Sequence, residues 1–385
     1  MKILKLVSKN AFRHRLRTFL TVLGLALAVM AFGLIRTFIN AWYAGAEAAS
    51  PDRLVTRHAV SIIFSLPLAY KEQLMKVEGV EDVTYANWFG GYYVDPSNFF
   101  VNFAVDHTNY FEVYPELQLP PEQLEAFKSE RQAAVIGQGL ADRFGWKVGD
   151  KVTLIGGIYP GNWDFFIRGI YTGRDEATDE AVFIFRWDYL DETMKQIWSS
   201  HTGEVGWFGL KISDPEQAAR ISTAVDKRFD NSSAETRTET EKEFQMSFIQ
   251  MSSAIILGLR IISYLIIGVI LLVLANTMAM TARERVSENA FMRTIGFQNY
   301  HLIGLILGES LFIAVLGGAL GIGLLILVAS LVKVALSMYF PGFAPNSYTF
   351  IFSFGAAVIV GFLSAVFPIA RAVRMKIVEA LRVVD

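Results

Sequence analysis

Four stretches of the chain are apolar for long enough to cross a bilayer, one near the start and three in the last third. Thr18 to Ile35 and Ile261 to Ala282 hold no charge, Leu302 to Val332 holds one acid, Glu309, and Tyr348 to Ala370 holds none. A helix rises about 1.5 Å per residue and the hydrocarbon layer is about 30 Å thick, so about 20 apolar residues suffice to span it. The pattern predicts transmembrane helices over 18–40, 302–333 and 348–370, and a further one that follows a stalk within 241–282. The small-x-small triplet Ala44-Gly45-Ala46 has the form of a signal-peptide cleavage site. The apolar run before it is longer than the roughly 7–15 residues of a signal core, and Arg36 follows it, so a span is the better reading.

Between and around these runs the periods change. Residues 1–17 read as an amphipathic interface helix, with Ile3, Leu6, Val7, Ala11 and Phe12 on one side and Lys2, Lys5, Lys9 and Arg13 on the other. Residues 41–240 alternate strand and helix signals. Leu54 to Phe64, Asp82 to Val94 and Asn98 to Val105 read as strands, with a helical run from Pro67 to Val77. The motif recurs as strand Trp207 to Ile212, a helix start at Asp214-Pro215-Glu216 and strand Ala234 to Thr238. One α+β layer built by both ends of this region is expected, with an inserted, mainly β lobe over about 110–197. The lobe's strands are Lys151 to Ile155, Asp164 to Tyr171 and Ala181 to Phe185.

From Glu241 a helical stripe runs through Phe244, Phe248, Met251 and Ile255 and merges with the second span near Arg285, with no proline on the way. At about 1.5 Å per residue this is ~65 Å of helix, enough for a stalk outside the hydrocarbon. Ser252-Ser253 and Gly258 are its candidate break points. The expected fold is an α-helical membrane protein with four transmembrane helices and a large extracytoplasmic α+β domain between helices 1 and 2.

Charge placement adds the orientation. Of 385 residues 53% are hydrophobic and 19% charged, with a mean hydropathy of +0.36, which excludes disorder and argues against an ordinary soluble enzyme. The net charge of −2 conceals a division: Thr37 to Ser253 carries 32 acids and 19 bases, the rest 5 acids and 16 bases. Lys2, Lys5, Lys9, Arg13, Arg15 and Arg17 precede the first span. Arg283, Arg285 and Arg293 lie in the loop over 283–301, and Arg371, Arg374, Lys376 and Arg382 in the tail over 371–385. The short loop over 334–347 has neither Lys nor Arg. Cytoplasmic loops are enriched in Lys and Arg, so both termini are expected inside and the acidic domain outside.

No catalytic constellation stands out. The five histidines are scattered without ligand spacing, cysteine is absent, and neither a Gly-x-Ser-x-Gly elbow nor a phosphate-binding Gly-x-x-x-x-Gly-Lys-Ser/Thr loop occurs. No cofactor or metal site is expected in this chain. Glu309, about two turns into the third span, is a membrane-embedded polar candidate, expected as a structural clamp facing the bundle or a partner copy. An ion pair with Arg260 is not expected, because the two spans run in opposite directions. Gly304, Gly308, Gly317, Gly318, Gly321 and Gly323 let the third span approach a neighbour closely.

With these parts in order the chain resembles the permeases of bacterial ABC systems that include the macrolide-exporter, lipoprotein-releasing and cell-division permeases. The segment Arg283-Glu284-Arg285 through Glu288-Asn289-Ala290-Phe291-Met292-Arg293-Thr294-Ile295-Gly296 is similar to that family's cytoplasmic coupling segment, with Asn289 and Ala290 replacing an aliphatic residue and a glycine. Glu309-Ser310-Leu311 with Gly317-Gly318 is similar to its third span. Pro368 through Arg371, Arg374 and Val378-Glu379-Ala380-Leu381-Arg382 is similar to its tail, with Ile377 in place of a common proline. The resemblance implies Arg283, Glu284, Arg285, Glu288, Arg293 and Gly296 as ATPase-coupling residues and Phe244, Phe248 and Met251 as a stalk. It implies a separate cytoplasmic ABC ATPase dimer holding ATP and Mg, and a second copy or related permease. A periplasmic adaptor and membrane lipids are further implied partners, nucleic acid is not, and the location is the bacterial inner membrane. Two functional classes follow: export or extraction of a lipid, lipoprotein, peptide or small molecule, and a non-transporting relay to an outer hydrolase or sensor. The large outer domain favours the first.

Overall fold

In hydrocarbon no water is available to a backbone N–H or C=O, so each apolar run has to close its hydrogen bonds within a helix. The computed structural model describes residues 13–175, 177–197, 202–336, 340 and 342–374. The leader up to Phe12 and the tail with Lys376, Ile377 and Val378 to Arg382 lie outside the described residues. Among the described residues four helices are long and apolar enough to cross a membrane: Arg15–Ala48, Ser253–Glu284, Asn299–Leu336 and Ser347–Arg374. The chain divides into two compact units, a helical one built from the described residues of 1–40, 252–335 and 343–385, and an α+β one from 41–251 with 336–342.

Within the helical unit the core is Leu25 and Val29 of the first helix, Ile270, Leu274 and Met278 of the second, Ile313 and Ala314 of the third, and Ala357 and Val360 of the fourth. Glycines set how close these helices come. A methyl group on Gly317 would meet Leu25 at 2.7 Å, one on Gly321 would meet Val29 at 2.7 Å, and one on Gly361 would meet Ala314 at 2.4 Å. Gly304 and Gly323 face open space, so the spacing of small residues overstated the contact face. Ser310 donates to the Gly361 carbonyl at 2.6 Å and lies 2.8 Å from the Ser364 hydroxyl, a polar link between the third and fourth helices.

The α+β unit has twelve strands among the described residues: β1 (Arg53–His58), β2 (Leu66–Pro67), β3 (Val80–Trp88), β4 (Val101–Val105), β5 (Leu117–Gln118), β6 (Ala133–Gly137), β7 (Lys151–Gly156), β8 (Gly161–Gly173), β9 (Val182–Arg186), β10 (Glu204–Val205), β11 (Trp207–Ile212) and β12 (Thr236–Thr240). Ten join in one sheet in the order β12-β1-β11-β3-β4-β9-β6-β8-β5, with β7 also on β8, while β10 pairs with β2. The pairs β4–β9 and β6–β8 are parallel. The region 110–197, expected as an inserted, mainly β lobe, hydrogen-bonds into the same sheet through β9, and it carries helices Tyr110–Val113, Pro121–Ser129, Gln138–Phe144 and Trp187–Ile197 as well as strands.

The central strands β6 and β9 are buried throughout, as continuous apolar runs covered on both faces should be. Alternate residues separate into two cores. Ala134, Ile136, Phe183 and Phe185 join Phe89, Trp163 and Phe165 on one face. Val135, Val182 and Ile184 join Tyr110, Phe111, Phe127 and Tyr171 on the other.

Helix Glu241–Met251 leaves this sheet directly after β12. Glu241 is anchored by Arg53, which donates from Nε to Glu241 at 2.9 Å, to both Glu116 oxygens at 2.9 and 2.6 Å, and to the Val113 carbonyl at 2.9 Å. Burial works to lower the Arg53 pKa, but the two carboxylates outweigh it and hold the group charged. The uninterrupted helix expected over 241–285 is not found. The run breaks at Ser252 (φ −96°, ψ 9°), and the second helix restarts at Ser253. The break falls at the Ser252-Ser253 pair, the first of the two candidate points, and the Ser252 side chain makes no capping hydrogen bond there.

Replacing Gly321 with leucine would force a branched side chain against Val29 and the Ala26 carbonyl. The expected loss is ~1–3 kcal/mol, read as a lowered midpoint in thermal unfolding of the detergent-purified chain. Gly323→Leu, which meets nothing within 4 Å, should leave the midpoint in place.

Candidate coupling site

The second helix ends at Glu284, and Arg285 (φ −105°, ψ 17°) is at once its C-cap and the N-cap of the short helix Val286–Thr294. That short helix closes on Gly296, whose φ of +96° is left-handed. The Phe297 N–H donates to the Met292 carbonyl at 3.0 Å and the Gly296 N–H to Arg293 at 3.2 Å. This pair of bonds is a Schellman motif, which wants glycine at the left-handed position, and it fixes where the helix stops. The sequence reading placed Gly296 in the motif without seeing this backbone role.

Three ion pairs fasten the segment, and they differ in weight. Arg285 reaches Glu309 of the third helix at 2.8 Å, with both side chains largely buried. Arg17 of the first helix grips Glu284 in a bidentate pair at 2.8 and 2.7 Å, and His14 lies 3.5 Å from the same carboxylate. Arg13 holds Glu288 at 2.5 Å with both partners half exposed. Exposed pairs contribute about 0–1 kcal/mol, whereas breaking a buried one strands a charge at a cost of about 3–5 kcal/mol. The Arg285–Glu309 pair therefore decides where the short helix sits, and the outer two steer it.

The remaining residues divide by burial. Asn289 and Ala290, the two departures from the family motif, are buried at 7% and 0% exposure on the inner face. Small and polar residues fit there beside Arg285, whose carbonyl accepts from the Asn289 N–H at 2.9 Å. On the opposite face Phe291 and Ile295 are 62% and 63% exposed, and Phe297 beyond them is exposed too. Arg283 is exposed and has no ion pair among the described residues, while Arg293 donates to Asn299 at 2.6 Å. Thus Arg285 meets Glu309 while Glu284 and Glu288 meet Arg17 and Arg13, and Arg283 is in none of these pairs. Sequence reasoning identified Glu309 as a clamp but missed its partner, and it counted Arg17 as topogenic charge and Arg13 as that and as part of the leader's basic face. The available signal was the run of basic residues ahead of the first span facing two acids, Glu284 and Glu288, one helical turn apart.

The stalk candidates form a local stripe. Phe244 and Phe248 meet edge to face at 5.1 Å, Phe248 and Met251 are exposed, and the buried side of their helix is Glu241 and Ile249.

A family model described as the MacB-like periplasmic core domain matches residues 18–228, more than half of the chain, and one described as the FtsX-like permease C-terminal matches residues 260–377. The chain is similar to an uncharacterized ABC transporter permease of Methanocaldococcus jannaschii, 22% identical over 99% of this chain and 97% of that one. The extracellular domain of the noncanonic ABC-type transporter YknZ from Gram-positive bacteria aligns with 49% of this chain and 98% of its own, at 13% identity and a TM-score of 0.36.

Glu309→Leu should lower the unfolding free energy of the purified chain by ~3–5 kcal/mol by stranding Arg285. The double variant Arg285→Met with Glu309→Leu should recover most of that loss in the same thermal unfolding measurement. A double variant no more stable than the single one would remove the pair from its deciding position.

Proposed function

Because the chain belongs to the FtsX/MacB-like family of ABC transporter permeases, we propose that it is the membrane subunit of an ATP-driven exporter or extractor, worked by a separate cytoplasmic ATPase that holds the ATP and Mg. The ATPase dimer seats against the short helix Val286–Thr294, with both termini of the permease on the same side. The observation that carries this reading is the division of that segment into a fastened start and a bare remainder. Its start, from Glu284 to Glu288, is tied to the first and third helices by Arg13, Arg17 and the Arg285–Glu309 pair. Beyond Glu288 it offers Phe291 and Ile295 to solvent. A helix fixed by charge at its start and apolar beyond it can receive a partner and pass displacement on to the spans. Exposed apolar patches of this kind mark interaction sites.

Movement then reaches the extracytoplasmic domain through two chain connections, the helix Arg15–Ala48 and the pair Glu241–Met251 and Ser253–Glu284. A second copy covers the exposed stripe of Phe248 and Met251, and a periplasmic adaptor receives the cargo.

The double variant Phe291→Asp with Ile295→Asp should cut recovery of the co-expressed ATPase with the permease at least tenfold while leaving the melting temperature of the permease alone unchanged. ATP turnover should be measurable for the wild-type complex and not for the permease by itself. Full ATPase recovery with the double variant would overturn the docking face.

The dimer is checked in the cysteine-free background. Met251→Cys should give a disulfide-linked pair of permeases in native membranes under mild oxidation, whereas a control at Ile158, exposed elsewhere on the domain, should not. Equal cross-linking at both positions would count against a stalk interface.

A further inference from the structure

A cavity of about 340 Å³ lies inside the α+β unit, where its second core stops being filled. Phe103, Tyr110, Tyr114 and Tyr171 form its aromatic wall. The opposite wall is the end of the first long helix, at Gly45 and Ala48, and the start of the helix that leads toward the second span, at Glu241 and Gln245. Gly45 lets these two segments meet, since a methyl group there would lie 2.9 Å from the Gln245 side-chain oxygen. The cavity is of the size that holds a small organic molecule, ~300–1,000 Å³.

Its charge is unbalanced. Glu116, Asp175, Asp179 and Glu241 line it against Arg53 and Arg174. Arg53 is fully engaged by Glu116, Glu241 and the Val113 carbonyl, so it offers little to an incoming anion. Tyr110 is only 7% exposed, and its hydroxyl makes no hydrogen bond among the described residues. It stacks on Tyr114 at 4.6 Å, and Tyr171 is fixed by donating to the Asp179 carbonyl at 2.5 Å. The Tyr110 hydroxyl is open to the cavity rather than sealed from it, a donor and acceptor that a ligand or water can meet. Aromatic faces beside excess carboxylate attract cations. Among the described residues no three acidic or histidine side chains are grouped to hold a metal ion, which points to an organic cation.

We propose that this cavity is a binding site for a compact organic cation, an ammonium group on an aromatic or aliphatic body, with Asp179 as its counter-charge and the partly exposed Phe103 and Tyr114 as its aromatic contacts. Burial raises the Asp179 carboxyl to about 6, so it is ionised at pH 8. The site lies wholly within one unit, and binding needs neither nucleotide nor ATPase. Failure of the coupling reading would leave it intact, and its own failure would leave coupling intact.

The experiment uses the full chain in nonionic detergent at pH 8 with berberine, a fluorescent quaternary ammonium, and with the anionic dye anilinonaphthalene sulfonate for comparison. Linear partition into empty micelles is subtracted from each titration. Berberine should bind saturably at one site per chain, at least tenfold tighter than the anionic dye. Ala48→Trp, which fills the cavity from the helix side, should abolish the saturable phase, and Asp179→Asn should weaken it at least tenfold. Melting temperatures of both variants verify folding, and Asp179→Asn alone decides the matter if Ala48→Trp does not fold. Absence of a saturable phase, equal binding of the anion, or wild-type affinity in a folded variant would overturn the proposal.

Discussion

A charge carried toward the hydrocarbon has to bring its counter-charge with it, and the pairing of Arg285 with Glu309 is where this chain meets that demand. Neither residue is tolerable there alone. Together they fix the start of the third helix against the end of the second, and so fix the orientation of the short helix between them. The weaker pairs with Arg13 and Arg17 then have a defined surface to close upon. Removing either outer pair alters the steering of the segment, whereas removing the inner one removes the reason for its position.

The same device recurs at the other end of the same stretch of chain. Arg53 holds Glu241 at the first turn of the helix that leads toward the second span, as Arg17 holds Glu284 at the last turn of the span itself. Between these anchors the chain is helical except at Ser252. Arg17 makes two hydrogen bonds to Glu284, which specify angle as well as distance, while Arg53 reaches Glu241 through one and is itself held by the two it donates to Glu116. The arrangement controls the ends of the stretch and leaves its middle to local propensity.

The spans were legible because a long apolar run in hydrocarbon has to close its hydrogen bonds as a helix, and the length of the first run outweighed the signal-peptide reading. The strands over 182–186 and 207–212 were legible for a related reason, since apolar runs bounded by turns fit a buried sheet. β1 was overread: apolar residues continue to Phe64, but the strand stops at His58, where the ring nitrogen accepts from the Val60 N–H and turns the chain. That the inserted lobe shares the sheet of its flanks was not legible, because strand order is set by long-range pairing such as β4 on β9, which no local pattern records. At the coupling site, residue types and their spacing were visible in the sequence. The partners were not, because Arg285 and Glu309 are joined by the geometry of a turn and Arg13 and Glu288 lie 275 positions apart.

The break at Ser252 bears on which way work can flow. An unbroken rod carries load equally when pushed or pulled, whereas a strut with a joint in it straightens under tension and buckles under compression. A connection interrupted at one residue and pinned at both ends by guanidinium contacts is therefore built like a cable. Under the coupling proposed above, such a linkage delivers force on the half of a cycle that draws its ends apart and slackens on the other, which makes stroke and recovery mechanically unlike.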